Sequence, residues 1–169
     1  MADHILVAIG SNLPSPTFGP PRAVCEAALA ELSAHGLRIV RRSRWFESAP
    51  VPPSDQPWFV NGVAIVETSL SPGDLLALLH ATEHRFGRAR RAVNEARILD
   101  LDLIAYGDLV QTDAAPILPH PRLQERAFVL LPLADLLPDW RHPATGRTVS
   151  EMVRALPAGQ SIRPLPERE

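Results

Sequence analysis

Leu99-Asp100-Leu101-Asp102-Leu103-Ile104-Ala105-Tyr106 is the stretch that decides how the chain is read. In a β-strand residues i and i+2 share a face, so Leu99, Leu101 and Leu103 turn to a core while Asp100 and Asp102 share the other side. Their Cα atoms are then about 6.5–7 Å apart. Two carboxylates so placed repel each other unless a cation lies between them, and one or two Mg²⁺ ions with hard oxygen ligands suit the pair. A solvated acidic face that merely discourages edge pairing is the plain alternative, and the strand taken alone favours it.

Working back from that strand, Ser71-Pro72-Gly73-Asp74 predicts a helix start: a capping Ser, Pro in the first turn and an acid three residues on. The helix runs through Leu75, Leu76, Leu79, Glu83 and Phe86 to Gly87. Before it, Phe59–Thr68 is β-branched and apolar enough for a strand, and Leu37–Glu47 predicts another. Pro20–His35 carries Val24, Ala28, Leu29 and Leu32 at helical spacing, with Gly36 as its stop. His4–Ile9 is a buried strand ending in the turn Gly10-Ser11-Asn12. The order β-α-β-β-α-β predicts an α+β, ferredoxin-like antiparallel sheet with both helices on one face. A C-terminal addition follows: a Pro-rich turn, the Leu-rich segment Phe128–Leu137 and a helix capped by Thr148 with Glu151. We expect one domain over 1–169, with 157–169 as a flexible tail.

Composition fits that reading. The chain has 169 residues, 46% apolar and 21% charged, enough for a single unstapled core. One cysteine, Cys25, rules out an internal disulfide and a multi-Cys zinc site, and its place on the first helix's apolar stripe predicts a buried thiol. A net charge of −2 gives no basic field for nucleic acid. No apolar run approaches about 18 residues and Met1–Gly10 carries no basic leader, so a cytoplasmic protein without a membrane segment is expected. All 17 basic residues are Arg, so any phosphate clamp must use guanidinium forks.

Five of those arginines (Arg85, Arg88, Arg90, Arg91, Arg97) lie just ahead of the acidic strand. A charge run is commonly a solvated face. Running directly into a carboxylate pair, it also matches a polyphosphate–metal substrate: the acids hold metals, and metals with guanidinium groups neutralise phosphate oxygens. Without Lys a Walker P-loop is impossible, and neither a Ser nucleophile elbow nor H-E-x-x-H occurs. Phe59 and Asn61, two apart on one strand, can stack on and hydrogen-bond a flat heterocycle, although such a Phe is often plain core. His120, between Pro119 and Pro121, sits in a stiff loop. His80 and His84, one helical turn apart, lack a third ligand at metal spacing.

These residues resemble the hydroxymethyl-dihydropterin pyrophosphokinase family. The resemblance spans Ala8 to about Gly146. It runs through Ala8-Ile9-Gly10-Ser11-Asn12-Leu13, Glu47-Ser48-Ala49-Pro50, Gln56-Pro57-Trp58-Phe59-Val60-Asn61, Glu83 to Gly87-Arg88 and Arg97-Ile98-Leu99-Asp100-Leu101-Asp102. It ends with Pro119-His120-Pro121-Arg122 and Glu125-Arg126-Ala127-Phe128. The resemblance implies transfer of the β,γ-diphosphate of ATP to the hydroxymethyl group of a reduced pterin, with release of AMP. It implies that Asp100 and Asp102 ligate two Mg²⁺ ions on the triphosphate and that Arg88 and Arg97 close on the phosphates. It further implies that His80, Arg90, His120 and Arg126 contact ATP, that Phe59 and Phe128 sandwich the pterin, and that Asn61 with Ser48, Ala49 and Val51 reads the pterin edge. Some members carry Trp-Gly-Pro before the residue matching Arg97, where this chain has Asn94-Glu95-Ala96 in a loop one residue shorter.

Two other readings compete. A ferredoxin-like RNA-binding module would use Arg85–Arg97 as its basic patch, but the acidic strand would repel RNA. A metal-dependent phosphohydrolase on the same carboxylates would release inorganic phosphate. The expected partners are thus ATP and a pterin alcohol, with the chain a monomer.

Overall fold

In the computed structural model residues 4–50, 52–87 and 98–166 are described. Strand β1 (Ile5–Ser11) lies between β4 (Phe59–Glu67) and β5 (Asp100–Tyr106), antiparallel to both. The six-stranded sheet has the order β5-β1-β4-β3-β6, with β2 also on β4. Helices α1 (Pro21–Ala34) and α2 (Pro72–Arg85) cover one face, as the sequence predicts. There Val24, Ala28, Leu32, Leu75 and Leu79 pack with Val7, Ile9, Leu101 and Leu103. Cys25 is fully buried in this layer, and burial raises its thiol pKa far above the ordinary value. The expected helix start is present: Ser71 Oγ accepts the Asp74 N–H at 3.2 Å.

Helices α3 (Ala127–Leu136) and α4 (Val149–Arg154) form the C-terminal addition and cover the opposite face. Leu130, Leu133 and Met152 bury Leu6, Val63, Ile65 and Ile104 there. Helix α4 starts in a capping box in which Thr148 and Glu151 satisfy each other's backbone N–H groups.

Two expectations need correction. The single strand predicted over Leu37–Glu47 is split into β2 (Arg38–Arg42) and β3 (Phe46–Ser48), which pair with opposite ends of β4. At the break, the Ser43 N–H still donates to the Val63 carbonyl at 2.9 Å, but its Oγ accepts the Val63 N–H at 3.0 Å and donates to the Arg44 carbonyl at 2.8 Å, so a side chain takes over part of the ladder. The buried Trp45 ring then takes the space that a side chain at Gly62 would fill; a Cβ there would stand 2.7 Å from the indole.

The flexible tail expected from 157 onward instead contributes β6 (Ile162–Pro164), antiparallel to β3. Strand β3 is short and needs a neighbour on its outer edge. Further bonds fasten the segment: Leu165 N–H to the Trp45 carbonyl at 2.8 Å, an Arg163–Glu47 ion pair, and Arg22 donating to the Pro166 carbonyl at 2.9 Å.

Candidate active site

The register of the sheet sets the floor of a cleft of about 860 Å³. Asp100 and Asp102 on β5 stand opposite Gly10 and Ala8 on β1. Gly10 stands opposite Asn61 on β4, and Ser48 on β3 stands opposite Phe59. Residues paired across strands share a face, so four neighbouring strands present acids, small residues, an amide and an aromatic to one side. The small residues are what hollow the surface. A Cβ at Gly10 would come within 3.0 Å of Asn61 Oδ1.

Each expected pterin contact among the described residues lines this cleft: Ser48, Ala49, Phe59, Asn61 and Phe128. Asn61 and Ser48 are both about 4% exposed, and Asn61 Nδ2 donates to Ser48 Oγ at 2.6 Å. Two polar side chains are thus held at the bottom of a slot walled by Phe59 and Phe128, where a ligand's hydrogen-bonding edge would find fixed partners. Val51 lies outside the described residues.

Arg126 bridges the two ends of the cleft. Its Nη1 is 3.9 Å from Asp102 Oδ2, and its guanidinium carbon is 5.3 Å from the centre of the Phe128 ring. A delocalised cation between an acid and an aromatic face suits a polyphosphate reaching towards a ring.

His120 stands beside the acids rather than among the lining residues. Its N–H donates to the Ile104 carbonyl at 2.8 Å, which ties the Pro-flanked loop to β5. Burial first, then the Arg126 and Arg122 charges, push its imidazole down to a pKa of about 4, with Asp100 pulling the other way. The ring is therefore neutral at pH 7. The Arg122 N–H points at Nδ1 at 3.2 Å, which makes Nδ1 the acceptor and leaves the proton on Nε2. His80 is not brought to the cleft; it lies on the exposed side of α2. Arg88, Arg90 and Arg97 lie outside the described residues.

The sequence reading left two contributors without a role. Glu83, 3% exposed on the inner face of α2, accepts the backbone N–H of Leu101 at 2.7 Å. An acid on a helix's apolar stripe was the available signal. The second is the wall formed by Pro157–Gln160, together with Arg122 and Glu125. No periodicity marks that wall, because its backbone is irregular.

Asp100 and Asp102 fit a magnesium ion that arrives with a nucleotide. Among the described residues no group of three or more His, Cys, Asp or Glu forms a metal cluster. Mg²⁺ commonly takes one or two carboxylates and completes its octahedron with water and phosphate oxygens, so a same-face pair in a cleft is a sufficient protein donor set. Among the described residues no helix is long and apolar enough to cross a membrane.

Comparison with known proteins agrees with this geometry. The family model described as 7,8-dihydro-6-hydroxymethylpterin-pyrophosphokinase (HPPK) matches residues 6–138. The 2-amino-4-hydroxy-6-hydroxymethyldihydropteridine pyrophosphokinase of Pseudomonas aeruginosa is 42% identical over 158 residues, covering 93% of this chain and 94% of that protein. The protein of the same name from Synechocystis is 40% identical over 149 residues, covering 88% of this chain and 73% of its own. The solved Plasmodium falciparum HPPK-DHPS superposes with a TM-score of 0.67 at 13% identity, over 91% of this chain and 45% of that longer one. That likeness speaks to the ferredoxin-like fold alone. With the family model matching most of its length and relatives at 40–42% identity covering most of it, the chain belongs to the 7,8-dihydro-6-hydroxymethylpterin-pyrophosphokinase family.

Proposed function

We propose that this chain transfers the β,γ-diphosphate of ATP to the hydroxymethyl group of 6-hydroxymethyl-7,8-dihydropterin, giving AMP and the pterin diphosphate, a step of folate biosynthesis. One observation carries the reading: the Asp100–Asp102 pair shares a single cleft with the Phe59, Asn61, Ser48 and Phe128 slot, and Arg126 joins the two. Metal-binding acids alone would suit many phosphate reactions. Their union with a flat polar-floored slot supports a nucleotide meeting a heterocyclic alcohol.

Asp100 and Asp102 would hold two Mg²⁺ ions with ATP; bound there, the ions neutralise phosphate charge and polarise the attacked phosphorus. Arg126 adds a guanidinium fork beside Asp102, and Arg88, Arg90 and Arg97 supply further forks from the adjoining segment. His120, neutral with its proton on Nε2, is a hydrogen-bond donor that adds no charge. Phe59 and Phe128 hold the pterin ring by its faces. Asn61 with Ser48, Ala49 and Val51 holds its edge, so that the hydroxyl lies in line with the β-phosphorus. His80, exposed on α2, would contact ATP only at its outer edge. The working unit is one pyrophosphokinase domain, a cytoplasmic monomer.

An AMP-release assay with MgATP and the reduced pterin tests the reading. AMP should appear only when the pterin is present and should vanish when magnesium is omitted. Release of inorganic phosphate without pterin would replace this function with hydrolysis.

A further inference from the structure

The C-terminal segment Pro157–Ser161 is an irregular stretch, yet it touches both halves of the cleft. Gly159, at φ +92°, turns the chain so that Gln160 faces the start of α3. Gln160 Nε2 donates to the Glu125 carbonyl at 2.8 Å, and its Oε1 accepts the Ala127 N–H at 2.9 Å. Those two groups belong to the peptide units on either side of Arg126. One side-chain amide therefore grips the backbone before and after the arginine.

Arg126 has need of such a grip. It is the N-cap residue of α3, at φ −116° and ψ 106°, and its own side chain makes no capping bond. The first N–H of the helix is satisfied by Gln160 instead. A guanidinium has no acceptor for a backbone N–H, so the capping duty falls to a distant residue, while the Arg126 side chain reaches Asp102 and Phe128. The next residue in the chain, Ser161, accepts the Ala49 N–H at 3.0 Å through its carbonyl. Two consecutive residues thus tie the Ser48–Ala49 side of the slot to the Arg126–Phe128 side.

We infer that Gln160 is a positioning residue of this enzyme: its amide clamps the Glu125–Ala127 backbone and so sets where Arg126 and Phe128 meet the two substrates. The inference rests on the function proposed above. It acts through Arg126 and Phe128, not by contact with the reacting atoms. Nothing in the segment's composition announces this, because a lone Gln after Pro-Ala-Gly reads as a loop residue.

The test compares wild type, Gln160→Ala and Gln160→Glu, each also in an Arg126→Ala background. Gln160→Glu keeps the acceptor for the Ala127 N–H but sets a carboxylate against the Glu125 carbonyl, so it separates the two bonds without removing volume. Measurements are AMP release, affinity for a nonhydrolysable magnesium nucleotide, affinity for the pterin, and thermal melting. With Arg126 present, Gln160→Ala should lower kcat/KM by about 10- to 100-fold, the cost of a small misplacement. Nucleotide affinity should fall too, and Gln160→Glu should lose less. With Arg126 already truncated, the same change should cost less than about threefold in nucleotide affinity, since coupled residues are not additive. Wild-type kcat and affinities in both folded variants would overturn the inference, as would equal losses in the two backgrounds. A lower melting temperature with unchanged constants would mean that Gln160 merely holds the fold, which also overturns it. Failure of wild type to release AMP would instead sink the proposed function, and the nucleotide affinities would still judge Gln160.

Discussion

The Glu83 carboxylate accepts the N–H of Leu101 at 2.7 Å, and Leu101 is the residue between the two aspartates of the cleft. Strand β5 is an outer strand of the sheet, and among the described residues it pairs with β1 alone. The outward N–H at Leu101 therefore lacks a ladder partner, and a buried acid from α2 supplies one. The same bond fixes the backbone from which Asp100 and Asp102 project in the other direction.

Glu83→Ala should destabilise the protein by about 1–3 kcal/mol, the cost of leaving a buried donor without its acceptor. Glu83→Gln keeps an oxygen for Leu101 and should lose less. Urea unfolding of the two variants checks the order. Equal stability of Glu83→Ala and wild type would mean that the bond contributes nothing.

Asp100→Ala and Asp102→Ala should each abolish turnover while leaving the affinity for metal-free ATP within about threefold of wild type, as the proposed metal-holding role requires. Both residues sit partly exposed on the cleft floor, so the fold should survive either change. Turnover assays and nucleotide titrations with and without magnesium separate the effects. Full turnover in either variant would remove that carboxylate from the mechanism.

His120 gives the protein a pH dependence of definite sign. Its pKa is about 4 in the fold against 6.5 for an unperturbed imidazole, so between those values the unfolded chain binds the extra proton and stability rises with pH. The stabilisation is complete above about pH 6.5 and fades as pH falls towards 4. Burial lowers the pKa of His142 as well, and the Thr148 hydrogen bonds hold the Glu151 carboxyl below its ordinary value, so the wild-type slope has further sources. His120→Gln should flatten the curve over this interval without abolishing the slope. Urea midpoints at several pH values from 4 to 7.5 would show it; parallel curves for variant and wild type would contradict the assignment.

Much of this was legible in the chain because periodicity reports burial. Alternation over Leu99–Leu103 correctly divided core from cleft, and the Ser71 and Thr148 caps stand at the starts of α2 and α4. Where the structure differs from these expectations, the chain carries no such signal. A bend at Ser43–Trp45 depends on the space above Gly62, which belongs to another strand. The segment after Leu156 has no period because it is held by carbonyls and one amide, and only tertiary pairing turns Ile162–Pro164 into a strand. The site was legible where residue types are chemically unusual, as in Asp100 and Asp102. It was obscure where ordinary residues matter through position, as with Glu83 and Gln160.

Gly10 on the cleft floor and Gly62 on the opposite face of the sheet offer a paired test, because both lie under close neighbours but with different consequences. A Cβ at Gly62 would stand 2.7 Å from the Trp45 ring, which is fully enclosed and has nowhere to move. Gly62→Ala should therefore cost about 1–3 kcal/mol of stability, as overpacking does. A Cβ at Gly10 would meet Asn61 Oδ1 at 3.0 Å, a side-chain atom that can yield by turning. That turn would disturb the 2.6 Å bond from Asn61 Nδ2 to Ser48 Oγ and rotate the amide away from the pterin edge. Gly10→Ala should thus keep most of its stability and lose about tenfold in pterin affinity, the scale of one misplaced polar contact. Its affinity for the magnesium nucleotide should stay near wild type, because Asp100 and Asp102 are held by β5 and Glu83 rather than by Asn61. Calorimetric titration of each ligand decides between these outcomes: equal weakening of both would mean that Gly10 shapes the whole floor, and no weakening of pterin binding would take Asn61 out of pterin recognition.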